Sequence, residues 1–214
     1  MHVLSSALLP GAPVLKQIIS PTPIHRHYLT AASMAEPRDD LSMVAKVRAN
    51  MNEGELSTRG EAWSVSQAVL LLLVVFAPAQ PVAPAVEAVV GLAAIATAVA
   101  LSSTAVSDLT IVNLTPWPKP VEKNELKTVG VYSLCRHPMY TSLITGSFGL
   151  SLVTLSFERL LLTIALFMLL SFKAGREEQW LDKKHGEAYR AYASSVPQFF
   201  PSVRGIQEFM SHLV

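Results

Sequence analysis

Residues 133–143 read SLCRHPMYTSL. Arg136, His137 and Pro138 stand there directly before a long apolar run: from Met139 to Phe172 the only charged residues are Glu158 and Arg159. Where that run gives way to polar sequence, Glu177 and Glu178 stand side by side. Adjacent carboxylates beside hydrocarbon are costly unless they meet a cation or a hydrogen-bond donor. Arg136 and His137 are groups of that kind, and the four together would make a polar pocket at a lipid-accessible site. Taken singly, each has a plainer reading. His137 caps a span, Arg136 anchors it on the positive side, and Pro138 suits the first turn of a helix.

The elements that must bring these residues together are legible in the composition. The 214 residues are 50% hydrophobic and 15% charged, against roughly a quarter charged in an ordinary soluble domain. Mean hydropathy is +0.37. Residues 62–107 contain a single charged residue, Glu87. Such runs read as membrane spans, so the expected fold class is all-α, a multi-span integral membrane protein. A net charge of +1 implies no nucleic-acid partner. The single cysteine, Cys135, excludes an intrachain disulfide and any CxxC metal site, and no metal ligands are expected.

Four transmembrane helices follow, at about 63–77, 84–107, 139–157 and 160–172. Pro78, Pro81 and Pro84 end the first and open the second. Gly91, Ala94, Ala98 and Ser102 give the second a face of small residues, and Ser142, Gly146 and Gly149 give the third another. Only Glu158 and Arg159 separate the third from the fourth, which predicts a tight helical hairpin. With four spans every basic segment except Arg159 falls on one side, and the positive-inside rule makes that side cytosol-like. The hairpin then delivers Arg136 and His137 close to Glu177 and Glu178.

Beyond Lys173, the residues Glu178, Leu181, His185, Tyr189 and Tyr192 recur at spacings of three, four, four and three. That is one face of an amphipathic helix. It predicts a C-terminal interfacial helix whose tyrosines sit at headgroup level.

The other end of the chain has a different character. Residues 1–35 contain no Asp or Glu and are rich in Ser, Thr, Ala and Pro. Acid-poor, Ser-rich termini are what organellar transit peptides look like. The expected organisation is a transit peptide or disordered leader over 1–50, with the stretch Val47–Asn50 as a cut region, and a polar linker over 51–61. The first transmembrane hairpin then occupies 62–110, the functional core with the second hairpin 111–201, and a tail 202–214. The leader points to an organellar membrane, the chloroplast rather than the mitochondrion, with the polar face toward stroma or matrix.

In order along the chain, GVYSLCRHPMY (130–140), a helical hairpin, EEQWL (177–181), HGEAYRAY (185–192) and VPQFFP (196–201) resemble the isoprenylcysteine carboxyl methyltransferase and phospholipid methyltransferase superfamily. LTPWPKP, residues 114–120, resembles its small prokaryotic members. The resemblance implies a membrane methyltransferase that takes S-adenosylmethionine as cofactor from the aqueous side and a lipid or prenylated acceptor from the bilayer. It assigns cofactor contacts to Asn124, Glu125, Leu126 and Lys127, to Tyr132, to His137, Pro138, Met139 and Tyr140, and to Glu177. Arg136 joins them as part of the same wall. In the carboxyl methyltransferases an arginine four residues before that glutamate holds the substrate carboxylate. Here the position is Lys173, with Arg176 nearby but out of register, which counts against a prenylcysteine acceptor.

Methyl transfer from a sulfonium leaves a neutral group, so the protein's main work is positioning and desolvation, which can account for ~7–11 kcal/mol of a barrier. If the acceptor is already an anion, Lys173 orients it. If it is an amine or phenol, a base is needed, and Glu178 or His185 is the candidate. Two other readings fit the same architecture. One is a nicotinamide-dependent enzyme like the sterol reductases. The other is a non-catalytic accessory subunit of a larger organellar membrane complex.

Overall fold

The computed structural model describes residues 43–214, apart from 56–57, 80–83, 114, 123 and 212–214. The chain divides into two compact units at residues 41 and 42, and the description concerns the second. The leader expectation, and with it the chloroplast expectation, falls mostly outside the described residues.

Every regular element among the described residues is helical. The stretch expected as the end of the leader and a polar linker holds a helix, α1 (Met43–Asn52), which includes the expected cut region. Its end is secured from outside: Met51 O accepts Arg59 Nη1 at 2.6 Å and Trp117 Nε1 at 2.9 Å. These donors satisfy a carbonyl that the helix itself leaves free.

Helix α2 (Glu61–Phe76) begins after Gly60, whose φ of 87° is open to glycine and whose added Cβ would meet Pro118 Cγ at 2.8 Å. It stops where Pro78 follows. Its last carbonyls are gripped by Arg159, which is buried and donates to Val74 O, Val75 O and Ala77 O at 2.9, 3.0 and 2.7 Å. A cation is favoured at a helix C-terminus by the dipole as well as by the free carbonyls.

Helix α3 (Ala85–Asn113) starts after Pro84 and runs past the expected end at Ser107. Helix α4 (Pro138–Val153) has proline as its first residue, where a missing N–H costs nothing. The small faces of these two helices meet. A Cβ on Gly91 would lie 2.6 Å from Gly149 O, and one on Gly149 would lie 2.6 Å from Gly91 O, so only hydrogen fits on either side. Gly146 faces Ala98 in the same seam.

A turn at 154–156 leads into helix α5 (Phe157–His185), with the Ser156 side chain accepting Arg159 N–H at its N-cap. The fourth apolar run and the amphipathic stretch after it are therefore one continuous helix through His185. The break comes at Gly186, with φ 54° and ψ −125°, after which helix α6 (Glu187–Ser195) sets off afresh. The periodic face of residues 178–192 is thus divided between two helices. Tyr189 and Tyr192 are buried against the protein.

Residues 196–201 return as a bent, irregular segment along the start of α4. Arg136 N donates to Pro197 O at 2.9 Å, His137 N to Gln198 O at 3.0 Å, and Thr141 Oγ1 to Phe199 O at 2.8 Å. Phe199 is thereby set into the core beside Ile144, Leu166, Leu170 and Ala174. A last helix, α7 (Val203–Ser211), follows.

Among the described residues one stretch, Ala85–Leu109, is long and apolar enough to cross a membrane by length and composition; Glu61–Phe76 is a shorter apolar helix.

A polar cavity at the mouth of the helices

The start of α4 is held to α5 by a cluster of charge. Glu178 Oε1 accepts Arg136 Nε at 2.9 Å, His137 Nε2 at 3.0 Å and Gln198 Nε2 at 3.2 Å. Arg136 Nη1 also donates to Ala193 O and Val196 O at 3.0 and 2.6 Å. Burial would raise the Glu178 carboxyl, but the bonds and charges of His137 and Arg136 prevail and hold it down at about 2. Glu177 is oriented differently. Its Oε2 accepts the Tyr140 hydroxyl at 2.9 Å and lies 3.8 Å from His137 Nδ1. The imidazole of His137, stacked on Tyr140 at 5.3 Å, thus lies between the two carboxylates.

Across the cavity runs an extended segment, residues 124–127, with no regular hydrogen-bond ladder of its own. Two groups supply its partners. Asn113, buried at the end of α3, donates from Nδ2 to Glu125 O at 2.8 Å and accepts Glu125 N–H on Oδ1 at 2.9 Å. From the end of α5, His185 Nε2 donates to Asn124 Oδ1 at 2.9 Å, and Lys184 Nζ donates to Val121 O and Glu122 O, each at 2.6 Å. Burial, then the charge of Lys184, push His185 below its ordinary value.

The third wall is the turn before α4, Gly130–Ser133. Gly130 has φ 63°, and a Cβ there would collide with Asp108 Oδ2, which accepts Val131 N–H at 3.0 Å. Tyr132 is fixed by its carbonyl, which accepts the Tyr192 hydroxyl at 2.6 Å. Burial raises the phenols of Tyr132, Tyr189 and Tyr192, so all three stay neutral.

These walls enclose a cavity of about 190 Å³. All eleven residues assigned to cofactor binding line it: Asn124, Glu125, Leu126, Lys127, Tyr132, Arg136, His137, Pro138, Met139, Tyr140 and Glu177. Of the three assigned to catalysis, Lys173 lines it too. The other two do not: Arg176 is exposed, and Glu178 is engaged by Arg136, His137 and Gln198 behind the wall. A carboxylate held at about 2 with three donors on one oxygen is a poor proton acceptor. His185 also stands outside the lining, spent on Asn124.

Lys173 follows directly on Phe172, the last residue of the apolar run. It is 3% exposed, donates to Gln67 Oε1 at 2.7 Å and lies 5.2 Å from the Tyr140 ring centroid. Burial pushes its amine down to about 8, with the charge of Glu177 opposing.

Several lining residues had no sequence signal for this role: Gln67, Leu109, Asn113, Trp117, Tyr189 and Tyr192. Asn113 was the most accessible of them, being an amide where a long apolar helix ends. The Tyr189 hydroxyl is buried and makes no well-formed hydrogen bond among the described residues, with Arg136 beside it. A cavity with an unpartnered hydroxyl, a carboxylate, a pinned extended backbone and neutral tyrosines fits a ligand that carries both charge and a polar ring system.

Among the described residues the fold is all-helical, with a polar site at the mouth of apolar helices. Residues 86–188 match the phospholipid methyltransferase family, and the resemblance to that superfamily holds. The match begins at α3, further toward the N-terminus than the sequence motifs alone reached, and ends before VPQFFP. A nickel-cobalt-cadmium resistance protein, NccN, of Alcaligenes xylosoxydans xylosoxydans is 31% identical over 93 residues, covering 44% of each chain. A cobalt-zinc-cadmium resistance protein, CzcN, of Cupriavidus metallidurans is 35% identical over 81 residues, covering 37% of each. The match spans less than half the length of these relatives. Among the described residues, no group of three or more His, Cys, Asp or Glu could hold a metal ion.

Proposed function

We propose that the protein is a membrane-embedded methyltransferase that uses S-adenosylmethionine and acts on a lipophilic acceptor. The observation that carries this reading is the convergence of all eleven assigned cofactor positions on one cavity. They come from four separate stretches of sequence: 124–127, 132, 136–140 and 177. The match of residues 86–188 to the phospholipid methyltransferase family supports methyl transfer.

In this reading Glu177 and the backbone of 124–127 hold the cofactor's charged and hydrogen-bonding groups, and the Tyr189 hydroxyl gains a partner. When bound, the cofactor supplies an electrophilic methyl group on a cationic sulfur. The protein orients the two reactants and excludes water from between them.

We also propose that α2, α3, α4 and the first half of α5 cross the bilayer. Supporting this, Phe157, Leu161, Ile164, Met168 and Phe172 are exposed along one face of α5, and Val65, Val69, Leu72, Leu73 and Phe76 are exposed on α2. Apolar surface of that extent suits lipid rather than water. Helix α6 then lies at the interface on the basic side, with its tyrosines turned inward. Acceptors reach Lys173 and Tyr140 from the bilayer.

The test is binding of radiolabelled S-adenosylmethionine to the purified protein in lipid nanodiscs. Saturable binding, displaced by S-adenosylhomocysteine and lost in His137→Ala and Glu177→Ala, is expected. Displacement by NADPH alone would sink the proposal in favour of a reductase, and a stoichiometric complex with no cofactor bound would favour an accessory subunit.

A further inference from the structure

Lys173 is a buried cationic side chain in the lining of the cavity, and its partners are unusual. Its ammonium donates to the neutral carbonyl of Gln67 and sits over the Tyr140 ring. Among the described residues no carboxylate stands within ion-pairing distance of it. The nearest by sequence, Glu177, is one turn further along α5 and is taken by the Tyr140 hydroxyl. The groups facing Lys173 are Glu177 on its own helix, Tyr140 and His137 from the start of α4, and the uncharged Gln67 from α2. Burial without a contacting counter-ion raises the neutral share of an amine, here against the opposing charge of Glu177. Such an amine has a lone pair to offer.

The two bases that the sequence suggested are both spent. Glu178 holds Arg136, His137 and Gln198, and His185 holds Asn124. Of the titratable groups that line the cavity, Glu177 accepts the Tyr140 hydroxyl, His137 is bonded to Glu178 and Glu125 accepts from Lys127, which leaves Lys173 to take a proton.

We propose that Lys173 is the proton acceptor of the reaction, and that the substrate is a lipophilic molecule whose reacting heteroatom carries a proton at neutral pH, a phenolic hydroxyl or an ammonium, rather than a preformed carboxylate. This rests on the methyltransferase reading above. The heteroatom's proton passes to Lys173 Nζ, before attack for an ammonium and during it for a phenol, and the electron pair thus freed on the heteroatom forms the bond to the methyl carbon. The carbon–sulfur bond of the methyl sulfonium breaks with its electron pair left on sulfur. The ammonium then returns its proton to water through the aqueous mouth. Gln67 Oε1, 2.7 Å away, aims Nζ and adds no charge. It comes from α2, outside the family-matched residues 86–188.

Lys173→Arg separates a base from an anion clamp. Arginine binds a carboxylate at least as well as lysine but cannot give up its proton. The assay offers labelled S-adenosylmethionine with three acceptors: phosphatidylethanolamine vesicles, 4-nonylphenol in micelles, and palmitate in micelles. Label is expected in one of the first two and not in palmitate. Both Lys173→Arg and Lys173→Met are expected to lose at least ~100-fold in transfer, the usual worth of a general base, while binding S-adenosylmethionine as the native protein does. A second readout needs no turnover. Acetylation of Lys173 by acetic anhydride, followed by mass spectrometry against pH, is expected to reach half its maximum near pH 8 and at higher pH in Gln67→Glu. Transfer to palmitate, retention of transfer in Lys173→Arg, or a Lys173 profile that rises only above pH 10 would each overturn the proposal. Loss of cofactor binding by the native protein would instead overturn the methyltransferase reading.

Discussion

Asn113 and Glu125 are joined twice. The Asn113 carboxamide donates to the Glu125 carbonyl at 2.8 Å and accepts its N–H at 2.9 Å, as a neighbouring strand would. Asn113 ends α3, so the helix fixes the height at which the extended segment 124–127 crosses the cavity. Its Oδ1 is shared with Asn124 Nδ2 at 3.3 Å, which extends the grip by one residue.

Asn113→Leu should therefore damage the site more than the fold. Two backbone groups lose their partners, at about 1–3 kcal/mol for each that stays buried. The segment is expected to loosen, weakening S-adenosylhomocysteine binding about 10- to 100-fold with the unfolding midpoint little changed. Calorimetric titration in detergent measures the first, and thermal unfolding the second. Asn113→Asp should fall between the two, since it keeps an acceptor for Glu125 N–H but has no donor for the carbonyl.

Gly130 is constrained for two reasons that mutation can separate. Its φ of 63° disfavours any side chain, and a Cβ would collide with Asp108 Oδ2. Gly130→Ala is expected to cost more than ~1–2 kcal/mol. Asp108→Ala alone loses the bond to Val131 N–H, about 1 kcal/mol or somewhat more. In the double variant the collision is gone and only the backbone strain and the lost bond remain. Its destabilisation should be smaller than the two single effects added together, read from urea or thermal unfolding of all four proteins. Strict additivity would mean that the collision relaxes without cost.

Glu178 makes the stability depend on acid. Its carboxyl ordinarily titrates at 4.5 and is held at about 2 in the folded protein, so folding favours the charged form. The stabilisation it provides is fully present above pH 4.5 and is lost as pH falls toward 2. Glu178→Gln removes that dependence and leaves Arg136 and His137 facing a neutral amide, at about 2–3 kcal/mol near neutral pH. Unfolding of the native protein and the variant, compared at pH 7, 4 and 2.5, should show the gap between them closing as the pH drops. A constant gap would mean that the charge of Glu178 is immaterial to the clasp.

How much of this was readable beforehand divides by the kind of signal. Arg136, His137 and Glu177 could be brought together because two charge clusters flank an apolar hairpin, and a hairpin has one simple geometry. The small faces of α3 and α4 were readable because close helix contact demands Gly, Ala and Ser. Residues 124–127 carried no periodicity, so only resemblance pointed to them. That Tyr189 and Tyr192 pack against the protein was not readable, because an amphipathic pattern does not say whether its apolar face meets lipid or protein. Gly186 hid the break because the three-four spacing continues across it. Gln67 was invisible as a partner of Lys173: the pair is joined at a separation of 106 residues, through two helices that pack side by side.

Arg159 stands near the start of α5, far from the cavity, and its effect should be separable from the site. Its guanidinium bridges three carbonyls at the end of α2. Eighteen residues of continuous helix, about 27 Å, separate it from Glu177. Arg159→Met leaves those carbonyls without their donor and should destabilise the protein by about 3 kcal/mol. Arg159→Lys should recover part of this, because a single ammonium cannot reproduce the planar fork. Cofactor affinity, measured on protein that remains folded, is expected to stay within about twofold of native in both. Gln67 sits on the same helix as the gripped carbonyls, so transfer to the acceptor offers a second readout. If α2 pivots when Arg159 is lost, Gln67 shifts and transfer falls while cofactor binding does not. If both hold, α2 is fixed by its packing along α5 and the arginine serves only to satisfy its end.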